Sequence, residues 1–264
     1  MTLCIYHGGC DDGFAAAWVV WKKLLGDVDF HYGTYQEDPP DCQDRDVVIV
    51  DFSYKRPVIE QIIDVAKSVL VLDHHESAEK ELAGLEGNIF FDMERSGAMM
   101  AWDYFFPHSP CPEMIEYIQD RDLWHKKLTN SDQVIMALRS YPQEFEVWDE
   151  LMQRGPVSLA EEGKAIHRYY RTIVEAIKRN STRAVIGGYD VPVANSPFNF
   201  ASDVAGELAE EEPFAACYWI HAHGVTYSLR SRKNGVNVSE VATQYGGGGH
   251  AGAAGFKTQK VLNG

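Results

Sequence analysis

Four side chains able to bind metal ions, His7, Cys10, Asp11 and Asp12, fall within the stretch YHGGCDDGFAAAW, Tyr6 to Trp18. Three glycines in the same stretch let the backbone turn tightly. The apolar run Leu3-Cys4-Ile5-Tyr6 leads in and an Ala-rich segment follows, so the four lie on a strand-to-helix turn. Two further apolar runs also end in acid: VVIVD at Asp51, and VLVLD at Asp73, which His74-His75 follows directly. In an open parallel sheet, ligands bind in the crevice beyond the carboxyl ends of the strands. Carboxylates converging there repel one another unless protonated or neutralised by cations. With His7 and His74 they make a mixed oxygen and nitrogen donor set suited to divalent Mn, Fe or Zn. A single aspartate after a strand ordinarily caps the next helix. Independent capping does not require histidines in the same crevice, so the three strand ends together point to a metal site.

A second constellation lies near the C-terminus. In GGGGH, Gly246 to His250, four glycines present backbone N–H groups without Cβ obstruction. A glycine run by itself is ordinarily a flexible turn, but its successive N–H groups can form an anion nest, to which His250 adds a donor. Arg230 and Arg232, in LRSR, supply cations on a predicted strand. No aromatic-and-basic stripe of the kind that tracks a long single strand stands out, which favours short substrates.

These residues must be positioned by regular elements. Leu3–Tyr6, Val47–Val50 and Val69–Leu72 are short apolar runs that predict buried parallel strands. Asp12 to Leu25 and Pro57 to Lys67 predict helices, with Pro57 suited to a first turn. Ser96–Phe106 predicts a helix behind a capping serine, and Cys111–Asp122 another that stops just before its acidic end. Strands alternating with helices imply an α/β fold with a parallel sheet. Ser158 to Arg179 has helical spacing and no proline, as a long connecting helix would. Beyond Gly187-Gly188 the texture changes: YDVPVANS, a helix from Ser202 to Glu210, the neighbouring strands AACYWIHAHG and VTYSLRSR, and a short helix around Ser239–Tyr245. A second, smaller α/β domain is expected there, with its boundary near residue 180.

The bulk numbers bound the function. At 264 residues the chain buries a sizeable core, and 45% hydrophobic with 24% charged residues is ordinary for a soluble globular protein. The net charge of −15 argues against gripping long duplex DNA. Residues 1–183 carry −13 of it and residues 184–264 only −2. No run is long enough to span a bilayer, and no secretory signal opens the chain. Five scattered cysteines, Cys4, Cys10, Cys42, Cys111 and Cys217, fit reduced thiols in a cytoplasmic protein.

Taken together, the motifs resemble the DHH-type phosphoesterases with a C-terminal DHHA1 domain, over essentially the whole chain. The resemblance rests on YHGGCDDGFAAAW, VVIVDFS, LDHHES, the acidic YIQDRDLW, and LRSR followed by GGGGHAGAAGF. It implies a DHH catalytic domain over 1–130, a helical connector over 131–183 and a DHHA1 substrate-binding domain with a mixed sheet over 184–264, with the active site in the interdomain cleft. His7, Asp12, Asp51, His74 and Asp120 are the implied ligands of two metal ions, usually manganese, with Asp51 bridging; Asp122 is the alternative to Asp120. His75 is implied to contact the substrate phosphate, and Asp73 to orient the histidines. Arg230, Gly247, Gly248, Gly249, His250 and Asn195 are the implied substrate-binding residues, with Ser202 beside them. Two ions would activate a water and clamp the phosphoryl oxygens. Where many relatives have DxD, this chain has Cys10-Asp11-Asp12, similar to a branch associated with short oligonucleotides or cyclic nucleotides. Cys10 then fills the turn as a small buried residue, or is a thiolate ligand that favours Zn or Fe, or is replaced by Asp11 swinging inward. The expected activity is hydrolysis of short oligoribonucleotides or linear dinucleotides to mononucleotides, in a monomer or a homodimer away from membranes. The alternatives are a phosphatase for polyphosphate or a nucleoside 3′,5′-bisphosphate, and a catalytically impaired nucleotide- or metal-sensing module.

Overall fold

The β-branched runs VVIV and VLVL are the central strands of a parallel sheet formed by β1 (Thr2–His7), β2 (Val28–Gly33), β3 (Asp46–Val50), β4 (Ser68–Asp73) and β5 (Asn88–Phe91). In the computed structural model, which describes residues 1–25, 28–35 and 37–262, the strand order is β2-β1-β3-β4-β5. The chain leaves β1 for β2 on one side and returns to β3 on the other. That reversal between β1 and β3 is a topological switch point, the usual place for a ligand crevice in an open α/β sheet. His7 ends β1, Asp12 lies in the first turn of the helix that follows it, and the turn after β3 carries Asp51.

Both faces of the sheet are covered, which explains the continuous apolar runs. Leu3, Ile5, Val47, Ile49 and Val71 pack with Ile59 and Ile62 of α2 (Arg56–Val65) and Leu82 of α3 (Glu76–Leu82). The opposite face (Cys4, Val48, Val50, Leu70, Leu72) is equally buried, on the side of α1 (Asp11–Leu24) and α4 (Gly97–Phe105), which pack on each other. Trp18 of α1 and Trp102 of α4 stack there, both nearly inaccessible; burying such a side chain stabilises the fold by roughly 2–3 kcal/mol. Acidic Asp11 and Asp12 open α1 and Lys22 and Lys23 close it, in keeping with the helix dipole. Ser96 caps α4 by accepting from Met99 N.

α5 (Glu113–Asp122), α6 (Ser131–Leu138) and α7 (Phe145–Arg179) follow. α7 is interrupted at Gly155 (φ 72°, ψ 171°), immediately before Pro156, so the helix predicted over 158–179 is its second part. Its first part is anchored by Phe145, which stacks on Phe14 and packs on Phe30.

The chain divides into two compact units, Met1–His167 and Arg168–Gly264; residues 263 and 264, within the segment expected to form the second domain, lie outside the described residues. The C-terminal unit is built on β6 (Thr182–Ile186), β7 (Tyr189–Asn195), β8 (Ala215–His221), β9 (Gly224–Arg230), β10 (Gly248–His250) and β11 (Ala253–Thr258), in the order β10-β11-β9-β8-β7-β6. Only β7 and β8 pair in parallel, joined through α8 (Phe198–Leu208), so the sheet is mixed as expected. Gly187 and Gly188, with φ of 57° and 86°, make the two-residue turn between β6 and β7. α9 (Val238–Thr243) closes one face over Tyr227 and Phe256.

All five cysteines are free. Among the described residues no helix is long and apolar enough to cross a membrane.

Candidate metal centre

At the switch point side chains from four elements converge, joined by Asp122 at the end of α5. His7 ends β1, Asp12 lies in the first turn of α1, Asp51 follows β3, and Asp73 closes β4 ahead of His74 and His75. Asp51 adopts φ 54°, a left-handed conformation uncommon for a residue with a side chain. Its N–H is held by Leu72 O at 2.9 Å.

The donors form two groups of three, in each of which the ligating atoms lie within 4.8 Å of one another: His7, Asp51 and His75; and Asp12, His74 and Asp122. Asp51 faces both. One oxygen lies 3.4 Å from His7 Nδ1 and the other 3.0 Å from His74 Nε2. Neither contact has hydrogen-bond geometry, and both Asp51 oxygens are buried without a hydrogen-bond partner. His74 Nε2 is also 3.4 Å from Asp122 and 3.9 Å from Asp12. A buried carboxylate with two unsatisfied oxygens, ringed by imidazoles and two further carboxylates, fits divalent cation binding better than any internal pairing.

The electrostatics carry the same message. Burial, then Asp51 and Asp122, push the Asp12 carboxyl well above the ordinary range. Burial and Asp51 raise that of Asp122 as well, although about a quarter of its side chain stays open (25% exposed). Burial works to raise Asp51 too, but His7 and His74 hold it below its usual value. Burial alone would lower His74; Asp51, Asp122 and Asp12 instead push it up to about 10. Bound cations would relieve the mutual repulsion of the three carboxylates.

Surrounding groups fix these donors. Asp12 accepts from Gly97 N at 2.6 Å and from Ala98 N at 3.2 Å, so the N-terminus of α4 anchors its carboxylate. A Cβ on Gly97 would fall 2.4 Å from Asp51 Cβ, so only glycine fits there. Similarly, a Cβ on Gly13 would meet His7 O at 2.1 Å. Asp73, fully buried, accepts through one oxygen from His75 Nδ1 at 2.7 Å and from the backbone N–H of His74 at 2.8 Å. That leaves His75 Nε2 directed away from Asp73. Phe52 stacks on the His7 ring, and Tyr35 meets the rings of His7 and His75 edge-on.

The fourth motif requires a correction. Asp120 does not face the donors: its carboxylate accepts from Lys127 N at 2.8 Å and Leu128 N at 3.3 Å, and so builds the loop after α5. Asp122 is the acid that reaches His74. Asp11 is likewise engaged elsewhere, accepting from Arg139 Nε at 2.6 Å. Cys10 is the N-cap position of α1 and makes no capping bond. Burial and then Asp51, Asp122, Asp12 and Asp11 raise its thiol well above the usual value, and neither donor group contains sulfur. Gly97 was not singled out in the sequence; its signal was a glycine directly after the capping Ser96.

In the C-terminal unit, Arg230 at the end of β9 donates to Ser202 Oγ at 2.6 Å and to Ser228 Oγ at 3.0 Å. Asn195 is exposed at the end of β7, opposite Tyr218, whereas Arg230 pairs with Ala215 on the same strand β8. The two are therefore two strands and three residues apart. The glycine run differs from the expected nest. Gly248–His250 is a strand paired with Ala253–Gly255, and the N–H groups of Gly246 and Gly247 are bonded to Thr243 O and Ala242 O. A Cβ on Gly247 would meet Gly255 O at 2.0 Å, so close approach of two backbones demands the glycine.

Comparison with known proteins adds three findings. A family model for the DHHA1 domain matches residues 199–263. The uncharacterized protein R106 of Acanthamoeba polyphaga mimivirus is 31% identical to the chain, over 97% of this chain and 67% of that protein. Among the solved structures that share the fold are two with the following matches. The pGpG-specific phosphodiesterase PggH from Vibrio cholerae matches with TM-score 0.51 at 14% identity, covering 98% of this chain and 93% of PggH. RecJ from Thermus thermophilus, solved in complex with Mn2+, matches with TM-score 0.54 at 14% identity, covering 97% of this chain and 49% of RecJ.

Proposed function

From the premise that this chain belongs to the DHH/DHHA1 phosphoesterase superfamily, we propose that it is a metal-dependent phosphodiesterase that hydrolyses short oligoribonucleotides or linear dinucleotides to mononucleotides. The observation that carries this reading is Asp51, whose two buried oxygens lack hydrogen-bond partners and face one donor group each. His7, Asp51 and His75 would hold one divalent ion and Asp12, His74 and Asp122 the other, with Asp51 shared. Manganese, for which oxygen and imidazole donors are suited, is the proposed metal. Bound divalent ions supply an activated water and neutralise the charge of the phosphoryl oxygens.

The chain's own side chains do the rest. Asp73 fixes the tautomer and direction of His75, which presents Nε2 to the metal or to the substrate phosphate. Asp12, anchored on α4, and Asp51, in its left-handed turn, hold their oxygens where they meet the histidines. Six donors remain grouped without Cys10, which speaks for hydrolysis over a sensing role. The segment 1–130 is proposed to supply the chemistry, 131–183 the connection and 184–264 the binding of substrate, through Arg230, His250, the 247–249 glycines and Asn195. Free cysteines support a reducing, cytoplasmic setting.

The test is incubation with Mn2+ and, separately, a 5′-phosphorylated diribonucleotide, a longer single-stranded RNA, a cyclic dinucleotide, a nucleoside 3′,5′-bisphosphate and polyphosphate. Mononucleotides released from the shortest RNA are the expected result. Action on polyphosphate or the bisphosphate alone would replace this reading with a phosphatase, and metal binding with no turnover of any substrate would replace it with a sensor.

A further inference from the structure

Immediately after Asp122 the chain runs Leu123-Trp124-His125-Lys126-Lys127. In a chain of net charge −15, Trp124, His125, Lys126 and Lys127 are all exposed, with no acid among them. The segment is too short to register as a basic stripe in the sequence, yet its conformation is tightly determined. Trp124 (φ 57°) and Lys126 (φ 49°) both adopt the left-handed region, which is unfavourable for residues with side chains. Buried Asp120 imposes it. Its carbonyl accepts from His125 N at 2.8 Å and Lys126 N at 3.3 Å, while its carboxylate accepts from Lys127 N and Leu128 N.

Trp124 in turn orders the cations. The Arg121 guanidinium lies 4.2 Å from its ring centroid and the Lys126 ammonium 4.3 Å. Asp132 Oδ1 stands 3.6 Å from each of these two groups. Complementing the dipole at the C-terminus of α5 would need one cation near the helix end, not two left-handed residues held by a buried carboxylate. Cations ordered in advance lose less freedom when they meet an anion.

We propose that segment 124–127 is a phosphate-backbone subsite, receiving the part of a ribo-oligonucleotide that extends from the scissile phosphate. This rests on the metal centre proposed above, since the segment starts two residues after Asp122. Lys126 and Lys127 contact the phosphates, and Trp124 is a positioning residue that acts through Arg121 and Lys126. The subsite makes chain length matter: a dinucleotide has little backbone to offer it, whereas a pentanucleotide reaches it.

The test measures equilibrium binding of two- and five-nucleotide single-stranded RNA across a salt series, with divalent ions chelated so that nothing turns over. The wild type should bind the pentamer more tightly. In K126A/K127A the pentamer should lose about tenfold in affinity, and the slope of log K against log salt should fall by up to about 1.4, at about 0.7 per single-strand phosphate contact. The dinucleotide should change little, the Lys-to-Arg pair should retain pentamer binding, and W124A should weaken it while keeping most of the salt slope. K67A/K164A, which removes the same charge elsewhere on the N-terminal unit, should match the wild type. An unchanged slope in K126A/K127A, or an equal loss in the control pair, would overturn the proposal. So would a five-unit polyphosphate that binds through these lysines while RNA does not. Pentamer binding of this kind without any turnover in Mn2+ would sink the hydrolytic reading and leave the subsite standing. Hydrolysis with an unchanged salt slope would do the reverse.

Discussion

Asp51 concentrates most of the constraints on this molecule into one residue: burial, a left-handed backbone, two unsatisfied oxygens and a neighbour, Gly97, that tolerates no Cβ. Asp51→Asn should lower Mn-dependent turnover by more than about 10²-fold, since both ions of the proposed pair would lose a shared anionic ligand; full activity in steady-state assays would sink that proposal. Gly97→Ala should act indirectly. The new methyl must displace Asp51, costing about 1–3 kcal/mol in urea unfolding and weakening metal binding together. Asp120 and Asp122 make a sharper pair. Asp120→Ala leaves the N–H groups of Lys127 and Leu128 without their acceptor, so stability should fall by about 1–3 kcal/mol or more. Asp122→Ala should leave stability near wild type, because it removes a carboxylate from a repulsive cluster, while turnover is lost. Equal effects on stability would contradict the separation of roles. The sequence alone did not distinguish these two acids, for a geometric reason. Two residues along a helix are about 200° apart around its axis, so one faces the donors and the other the following loop. Which is which depends on how α5 is rotated against α4 and α6, and that is set by packing partners distant in sequence.

At the scale of elements, the strands whose apolar runs are buried on both faces were legible, and those at edges were not. β1, β3 and β4 announced themselves in LCIY, VVIV and VLVL. β2, VDFHYG, is an edge strand of intermediate or exposed residues up to Gly33 and carries no comparable pattern. β10 was hidden for a different reason: glycine disfavours strands in general, and here it is required because β11 approaches too closely for side chains. Between α7 and α8, ion pairs add to the stack of Tyr170 on Phe200. Glu207 of α8 accepts from Lys178 Nζ at 2.5 Å and pairs with Arg171, both on α7. Burial works to raise the Glu207 carboxyl, but Arg171 and Lys178 hold it below its ordinary 4.5. A carboxylate depressed in the folded state contributes stability above its unfolded pKa and loses it as pH falls through the folded one. Glu207→Gln should therefore cost about 1 kcal/mol at pH 7, allowing for the quarter of the side chain open to solvent. The difference should shrink at pH 3.5, below the ordinary carboxylate value, where the unfolded chain has already taken up the proton. Urea unfolding at the two pH values checks this; an equal difference at both would mean that the pairs with Arg171 and Lys178 contribute nothing.

At the scale of the whole chain, two units with separate cores carry unequal charge. Met1–His167 carries 31 Asp/Glu against 14 Lys/Arg, a net −17, whereas Arg168–Gly264 carries +2, and the six donors all lie in the N-terminal unit. The acidic bias that argues against a duplex-DNA grip has a local counterpart in a cluster of imidazoles and carboxylates whose acids repel one another. An ion that binds the folded cluster and not the unfolded chain must stabilise that unit by mass action, about 2.7 kcal/mol at a free concentration one hundred times its Kd. Scanning calorimetry in chelator and then in Mn2+ should show the transition of the N-terminal unit moving upward by several degrees. Asp51→Ala should abolish most of that gain, because the remaining donors no longer share an anion, and Cys10→Ala should keep it, because sulfur belongs to neither donor group. If Cys10→Ala removed the stabilisation and Asp51→Ala did not, the thiol would be the ligand that matters, and the preference for a hard ion such as manganese would give way to zinc or iron.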